Sequence, residues 1–174
     1  GRPGRPRAGH GGLLQSAQRG CDAGVPGNGG TDRTGTLDLW PIGNCQVSAL
    51  VDRAGSFVWA CVPRVDGDPV FCALLDTEEG PQAQGAWAIE LEDCARIEQQ
   101  YIRNTAVLVS RPIDSGGNAI EVTDFCPRIQ RSDRTYRPVA FARIIRPLGG
   151  SPRIRMRLKP VTGWTAQPAR RTFG

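Results

Sequence analysis

Histidine, lysine and methionine are nearly missing from this chain: His10, Lys159 and Met156 are the single examples in 174 residues. The one imidazole lies in a glycine-rich opening stretch, so the remainder has no histidine base for a Ser-His-Asp or Cys-His nucleophilic site. The one lysine sits beside no glycine-rich loop, and no G-x-x-x-x-G-K-[ST] segment is present to cradle a phosphate. Long apolar runs are also absent. None approaches the roughly 20 residues that cross a bilayer, and no basic-apolar-small leader opens the chain. No membrane partner is therefore expected. Because the chain starts at Gly1 and its only methionine is Met156, it is expected to be a piece of a longer polypeptide.

Metal-binding spacings are lacking as well. The six cysteines (Cys21, Cys45, Cys61, Cys72, Cys94 and Cys126) form no C-x-x-C pair, and His10 is far from most of them. A zinc site needs closely spaced thiolates or imidazoles, so neither a metal nor a cofactor is expected. Cys45, Cys61, Cys72 and Cys126 stand in apolar or strand-like contexts, where a free thiol behaves as a small core residue. They are read as reduced thiols of a cytoplasmic protein.

What the chain does contain is arginine. Net charge is +5 with a pI near 9.2, and all but one of the 22 basic residues are arginine. They are scattered instead of forming a block interleaved with aromatics, which suits a solvated basic surface and argues against a nucleic-acid partner. The 39% hydrophobic and 22% charged content is that of a globular protein. Its length suffices for one domain that buries roughly 70% of the unfolded chain's surface.

Residues 1–36 hold 11 of the 22 glycines and begin GRPGRPRAGHGG. Such a stretch cannot bury enough surface to offset its ordering entropy, so a disordered Gly/Arg-rich tail is expected there. From Leu37 to Gly174 the pattern is that of an all-β domain. Val47–Val51 and Ser56–Val62 flank the turn DRAG, and Ala86–Glu92 alternates apolar with acidic residues. Thr105–Ile113 and Ala119–Phe125 flank DSGGN as a hairpin, and Val139–Leu148 with Arg153–Lys159 reads as another. In the last strand Ile154, Met156 and Leu158 point one way, while Arg153, Arg155, Arg157 and Lys159 point the other. That row of cations suits solvent, an edge that resists pairing, or an acidic partner. Only Glu90–Gln100 has room for a helical turn. The expected architecture is an antiparallel β-sandwich.

Carboxylates remain as candidates for chemistry: Asp66 with Asp68, Glu78 with Glu79, and the cluster Glu90, Glu92 and Asp93. Nothing intrinsic raises one above the others, and in turns of this composition acidic residues commonly form the turn itself. The loop that follows Trp59 carries more information. Pro63 stiffens it, and Trp59, Arg64 and Asp66 are residue types that hold a sugar by ring stacking and hydroxyl hydrogen bonds. These three are the substrate-proximal candidates. The alternative has Trp59 in the core and Arg64 paired with Asp66.

The stretch IGNCQVSALVDRAGSFVWACVPRVDGDPVFCALLD resembles the opening of bacterial glycoside hydrolase family 15 proteins, the glucoamylase-like and trehalase-like enzymes. The matching residues include Ile42, Gly43, Asn44, Ala49, Leu50, Val51, Gly55, Ser56, Trp59, Cys61, Pro63, Arg64 and Asp66. QYIRNTAVL and VTDFCPR continue the likeness in order, at Tyr101, Asn104, Thr105, Val122, Thr123, Asp124, Phe125, Pro127 and Arg128. Val65 stands where the family has Phe, and Gly67-Asp68 replaces a Ser-Pro. The resemblance implies a truncated N-terminal β-sandwich whose partner is an (α/α)₆ barrel of the same polypeptide, absent from this chain. That barrel would carry the two glutamates of an inverting α-glucoside hydrolysis, so no catalytic residue falls here. Whether the substrate is trehalose or a maltooligosaccharide or glucan is left open. A free-standing carbohydrate-binding or degenerate sandwich is the rival, disfavoured by a stock of only 11 aromatic residues from which to build a sugar-binding face.

Overall fold

Alternating apolar and polar residues set most of the strands of the computed structural model, which describes residues 38–75, 84–165 and 167–169. The tail expected to be disordered, 1–36, lies outside them. In chain order the strands are β1 (Trp40–Gly43), β2 (Ser48–Val51), β3 (Phe57–Val62), β4 (Asp68–Phe71), β5 (Ala86–Leu91), β6 (Cys94–Tyr101) and β7 (Leu108–Asp114). They continue with β8 (Ala119–Phe125), β9 (Ile129–Arg131), β10 (Arg134–Tyr136), β11 (Ala142–Gly149), β12 (Ile154–Lys159), β13 (Val161–Thr162) and β14 (Gln167–Pro168). All pairings are antiparallel. One sheet runs β1-β2-β3-β5-β12 with β4 also on β3, and a second runs β11-β8-β7-β6.

Turn chemistry sets the hairpins. In the β2–β3 turn the Asp52 carboxylate accepts from the Ser56 N–H at 2.8 Å. In the β7–β8 turn Asp114 Oδ1 accepts from the N–H groups of Gly116 and Asn118, both at 2.8 Å. These Asx-type bonds hold a tight turn before the ladder begins. The apolar faces then meet between the sheets. Ile42, Val47, Ala49, Val51, Phe57, Ala60 and Phe71 of the first sheet and its turns pack with Leu108 and Cys126, and Ile89 of β5 packs with Ile120 and Val122 of β8. An all-β sandwich was the sequence expectation, and this is one.

Polar side chains pin the layers at several places. Asn44, buried in the β1–β2 turn, donates to the carbonyls of Pro127 and Pro138 at 2.9 Å each and accepts from the N–H groups of Gln46 and Val47. Its amide is thus fully satisfied, as burial requires. Tyr101 of β6 donates to the Pro41 carbonyl at 2.8 Å, and Gln99 donates to Asp52 O and Ser110 Oγ.

Several expectations change. Residues 94–101 form strand β6, paired with β7 from Tyr101↔Leu108 to Cys94↔Asp114, and leave no helical turn there. Ladder bonds to β7 decide a stretch whose own apolar spacing is weak. Strands β11 and β12 are not a hairpin: β11 pairs with β8 and β12 with β5, so the chain between them crosses from one sheet to the other. Cys61, Cys72 and Cys126 are buried as expected, but Cys45 is exposed, at φ 71° in the β1–β2 turn. In β12 the apolar residues are exposed instead of buried.

Candidate functional site

Strand β3 ends at Val62, and the loop beyond it returns to β4 within five residues. Gly67 N–H donates to Arg64 O at 3.0 Å and closes the turn. A Cβ on Gly67 would lie 2.7 Å from the Val62 carbonyl, so a glycine is required at this approach. Arg64 then folds over Asp66, with Nε donating to Oδ1 at 2.9 Å and Nη2 to Oδ2 at 3.1 Å. Both side chains are about two-thirds exposed, at 68% and 66%. An ion pair so exposed contributes about 0–1 kcal/mol to stability. Its consequence is geometric: the fork fixes both charged groups while Nη1 stays available as a donor.

The β1–β2 turn forms the opposite wall. Gln46 Nε2 donates to the Pro63 carbonyl at 3.2 Å, which ties the two loops together. Between them is an open pocket of about 370 Å³ lined by Cys45, Gln46, Arg64, Val65 and Asp66. Beneath it, burial first and then the negative charges of Asp68 and Asp66 push the Cys61 thiol above its ordinary range. The loop is therefore a stiff rim with hydrogen-bonding groups of both signs.

Trp59 is neither in that pocket nor in the core. It registers with Leu50, and its ring meets Trp164 at a centroid distance of 5.8 Å and a tilt of 52°. Trp164 belongs to the short turn Gly163–Thr165 between β13 and β14 and is 65% exposed. Gly163 lies beside the Asp68 carboxylate, where a Cβ would come within 3.9 Å of Oδ2. The three predicted residues thus fall into two neighbouring groups: Arg64 with Asp66 on the pocket, and Trp59 with Trp164 over β4. Sequence reading missed Trp164, Gln46 and Cys45. The glycine turn ahead of an isolated tryptophan in VTGWT was the only available signal for Trp164.

Two of the other candidate carboxylates, Glu90 and Glu92, stand beside arginines. Glu90 pairs with Arg157 and Glu92 lies 3.9 Å from Arg153, while Glu78 and Glu79 fall outside the described residues. Among the described residues no three His, Cys, Asp or Glu side chains converge on a metal-sized site, and no helix is long and apolar enough to cross a membrane.

The profile of the trehalase-like N-terminal domain family matches residues 31–170. The chain belongs to this family. It is 31% identical over 107 residues to a trehalase of Thermoplasma volcanium, covering 60% of this chain and 16% of that protein. It is 35% identical over 112 residues to trehalase 1 of Sulfolobus acidocaldarius, covering 62% of this chain and 19% of that protein. A trehalase of Thermoplasma acidophilum is 30% identical over 99 residues, 56% of this chain and 16% of its own length. The chain therefore spans less than a fifth of the curated relatives it matches. No solved structure matches it.

Proposed function

We propose that this trehalase-like N-terminal domain is the non-catalytic β-sandwich of a family 15 glycoside hydrolase that cleaves an α-glucoside of the trehalose type. The observation that carries this reading is the match over 31–170, together with relatives named trehalase that extend far beyond it. The geometry supports the division of labour. Inverting hydrolysis needs an acid and a base carboxyl roughly 6.5–9.5 Å apart across a sugar, and among the described residues Glu90 and Glu92 are engaged with arginines on the outer face of β5 and β12. The acid and base are assigned to the barrel of the same polypeptide. The rim of Arg64 and Asp66, with Trp59 and Trp164 beside it, becomes part of the wall at the mouth of the substrate site. There Arg64 offers a donor to a sugar hydroxyl and the indoles offer an apolar face.

The test uses the 174-residue chain and the longer protein side by side. Glucose release from trehalose or maltose by the chain alone is expected to equal that of a mock preparation, and clear turnover would overturn the proposal. In the longer protein, Arg64→Ala is expected to raise KM for trehalose several-fold with the urea midpoint unchanged. Unaltered kinetics would remove Arg64 from the wall.

The exposure of Trp164 against Trp59 favours one other reading, a sandwich that binds carbohydrate without cleaving it. Saturable quenching of tryptophan fluorescence by maltoheptaose, lost in Trp164→Ala, would identify it.

A further inference from the structure

Strand β12 is the edge of the larger sheet. It pairs with β5 from Ile154↔Leu91 to Lys159↔Ala86, and no described strand pairs with its other side. Its inward face overhangs. Ile154, Met156 and Leu158 register with Leu91, Ile89 and Trp87 and so point the same way as those residues. Ile89 and Leu91 are buried, yet Ile154, Met156 and Leu158 are 45%, 60% and 45% exposed. The opposing sheet covers β5 through Ile120, Val122 and Ile145 and leaves β12 open.

The outward face carries ion pairs to β5. Arg157 pairs with Glu90 and Arg153 with Glu92, both carboxylates of β5 and its end. Arg155 registers with Glu90, but that carboxylate is taken by Arg157, and Arg155 is in no ion pair among the described residues. The one described strand seated on β12 sets Trp87, Ile89 and Leu91 inward and Ala86, Ala88 and Glu90 outward, with Glu92 just past its end, so its carboxylates lie on the face of the β12 cations. A second copy of β12 does not meet these demands. Two copies paired antiparallel with their apolar faces together would set cations opposite cations, which is destabilising.

We propose that the free edge of β12 receives a further β-strand that complements its two faces, apolar residues inward against Ile154, Met156 and Leu158 and carboxylates outward against the arginines, supplied by another part of the longer trehalase-like polypeptide. The origin of the strand rests on the reading given above; the chemical preference of the edge is a property of this chain alone. Such a strand would cover Met156, answer Arg155 and extend the ladder by one pairing.

Two fluorescein-labelled nine-residue peptides test this against the 174-residue chain at low salt, one alternating Val/Ile with Glu and the other Val/Ile with Lys. By anisotropy titration the Glu peptide is expected to bind at least about tenfold more tightly than the Lys peptide. Arg155→Glu is expected to narrow or invert that ratio, and Met156→Lys to weaken the Glu peptide severely, with circular dichroism reporting whether each variant stays folded. Equal binding of the two peptides, no binding of the Glu peptide, or indifference of its binding to Met156→Lys in a folded variant overturns the proposal. So does a concentration-dependent dimer, seen by sedimentation, that Met156→Lys abolishes, since this would assign the edge to a second copy. If the Glu peptide binds as expected and the longer protein hydrolyses no α-glucoside, the edge stands and the trehalase reading falls.

Discussion

Arg143 and Asp124 are among the most deeply buried charges described, with side chains 1% and 0% exposed. They face each other across β11 and β8, with Nε and Nη2 of Arg143 donating to Oδ1 and Oδ2 of Asp124 at 2.8 and 3.0 Å. The guanidinium also donates to the carbonyls of Trp87 and Gly55, both from the other half of the sandwich, and lies 4.3 Å from the Phe57 ring centroid. Burial favours the protonated Asp124 and outweighs the opposing hydrogen bonds and charge of Arg143. Removing one partner leaves the other charge buried and unpaired, at a cost of about 3–5 kcal/mol. Urea melts are expected to show a loss of that order for Arg143→Met, and a double variant with Asp124→Leu is expected to recover part of it. Strict additivity would mean the pair is not coupled.

Cys126 belongs to the same scale. Burial pushes its thiol up from 9.0 to about 11. The unfolded chain gives up this proton near pH 9 while the folded chain keeps it until about 11. The stabilisation is therefore whole below pH 9 and lost as pH rises through 11, amounting to about 2–3 kcal/mol. Cys126→Ala is expected to flatten part of that alkaline limb in urea midpoints taken from pH 8 to 11. An unchanged slope would assign the limb to Tyr101, Cys61 and Cys94, whose native values are raised in the same direction.

At the level of elements, what was legible was periodicity and turn chemistry. Ala86–Glu92 reads as a strand because its residues alternate, and β5 spans Ala86–Leu91. DSGGN reads as a turn because an Asp side chain can accept from the backbone just after it, as Asp114 does from the N–H groups of Gly116 and Asn118. Which strands pair was not legible. GGSP between β11 and β12 suits a hairpin equally well, but Arg143 finds its carboxylate on β8 and Ile145 packs against the Ile89, Ile120 and Val122 cluster. Those partners are distant in sequence, so only the assembled sandwich separates the alternatives.

The entry into β5 depends on Gly85. Its φ is +70°, its carbonyl accepts from Cys72 and Ala73, and its N–H donates to Lys159 O. A Cβ there would lie 2.8 Å from Cys72 N and 2.9 Å from its Sγ. Gly85→Ala is expected to cost about 2–4 kcal/mol in urea titration, from backbone strain and overpacking together. A change under about 0.5 kcal/mol would mean that the neighbours yield freely.

For the molecule as a whole, the open flank of β12 separates stability from surface chemistry. Its apolar residues contribute little burial, so the triple substitution Ile154→Thr, Met156→Thr and Leu158→Thr is expected to shift stability by no more than about 0.5 kcal/mol per site. The same variant is expected to reduce binding of the dye ANS, which reports exposed apolar surface. A collapse of the urea transition would show instead that these side chains belong to the core.

The sequence by itself determined the strand-rich class, the turns and the family likeness, because each is written in local spacing or residue type. Tertiary structure alone decided that Arg64 and Asp66 share a pocket wall with Gln46, that Trp59 leans on Trp164, and that β11 and β12 part company. These depend on side chains tens of residues apart meeting across sheets. Burial decided the rest. An apolar residue in an alternating strand is inside only where another layer covers it, and over β12 none of the described residues does.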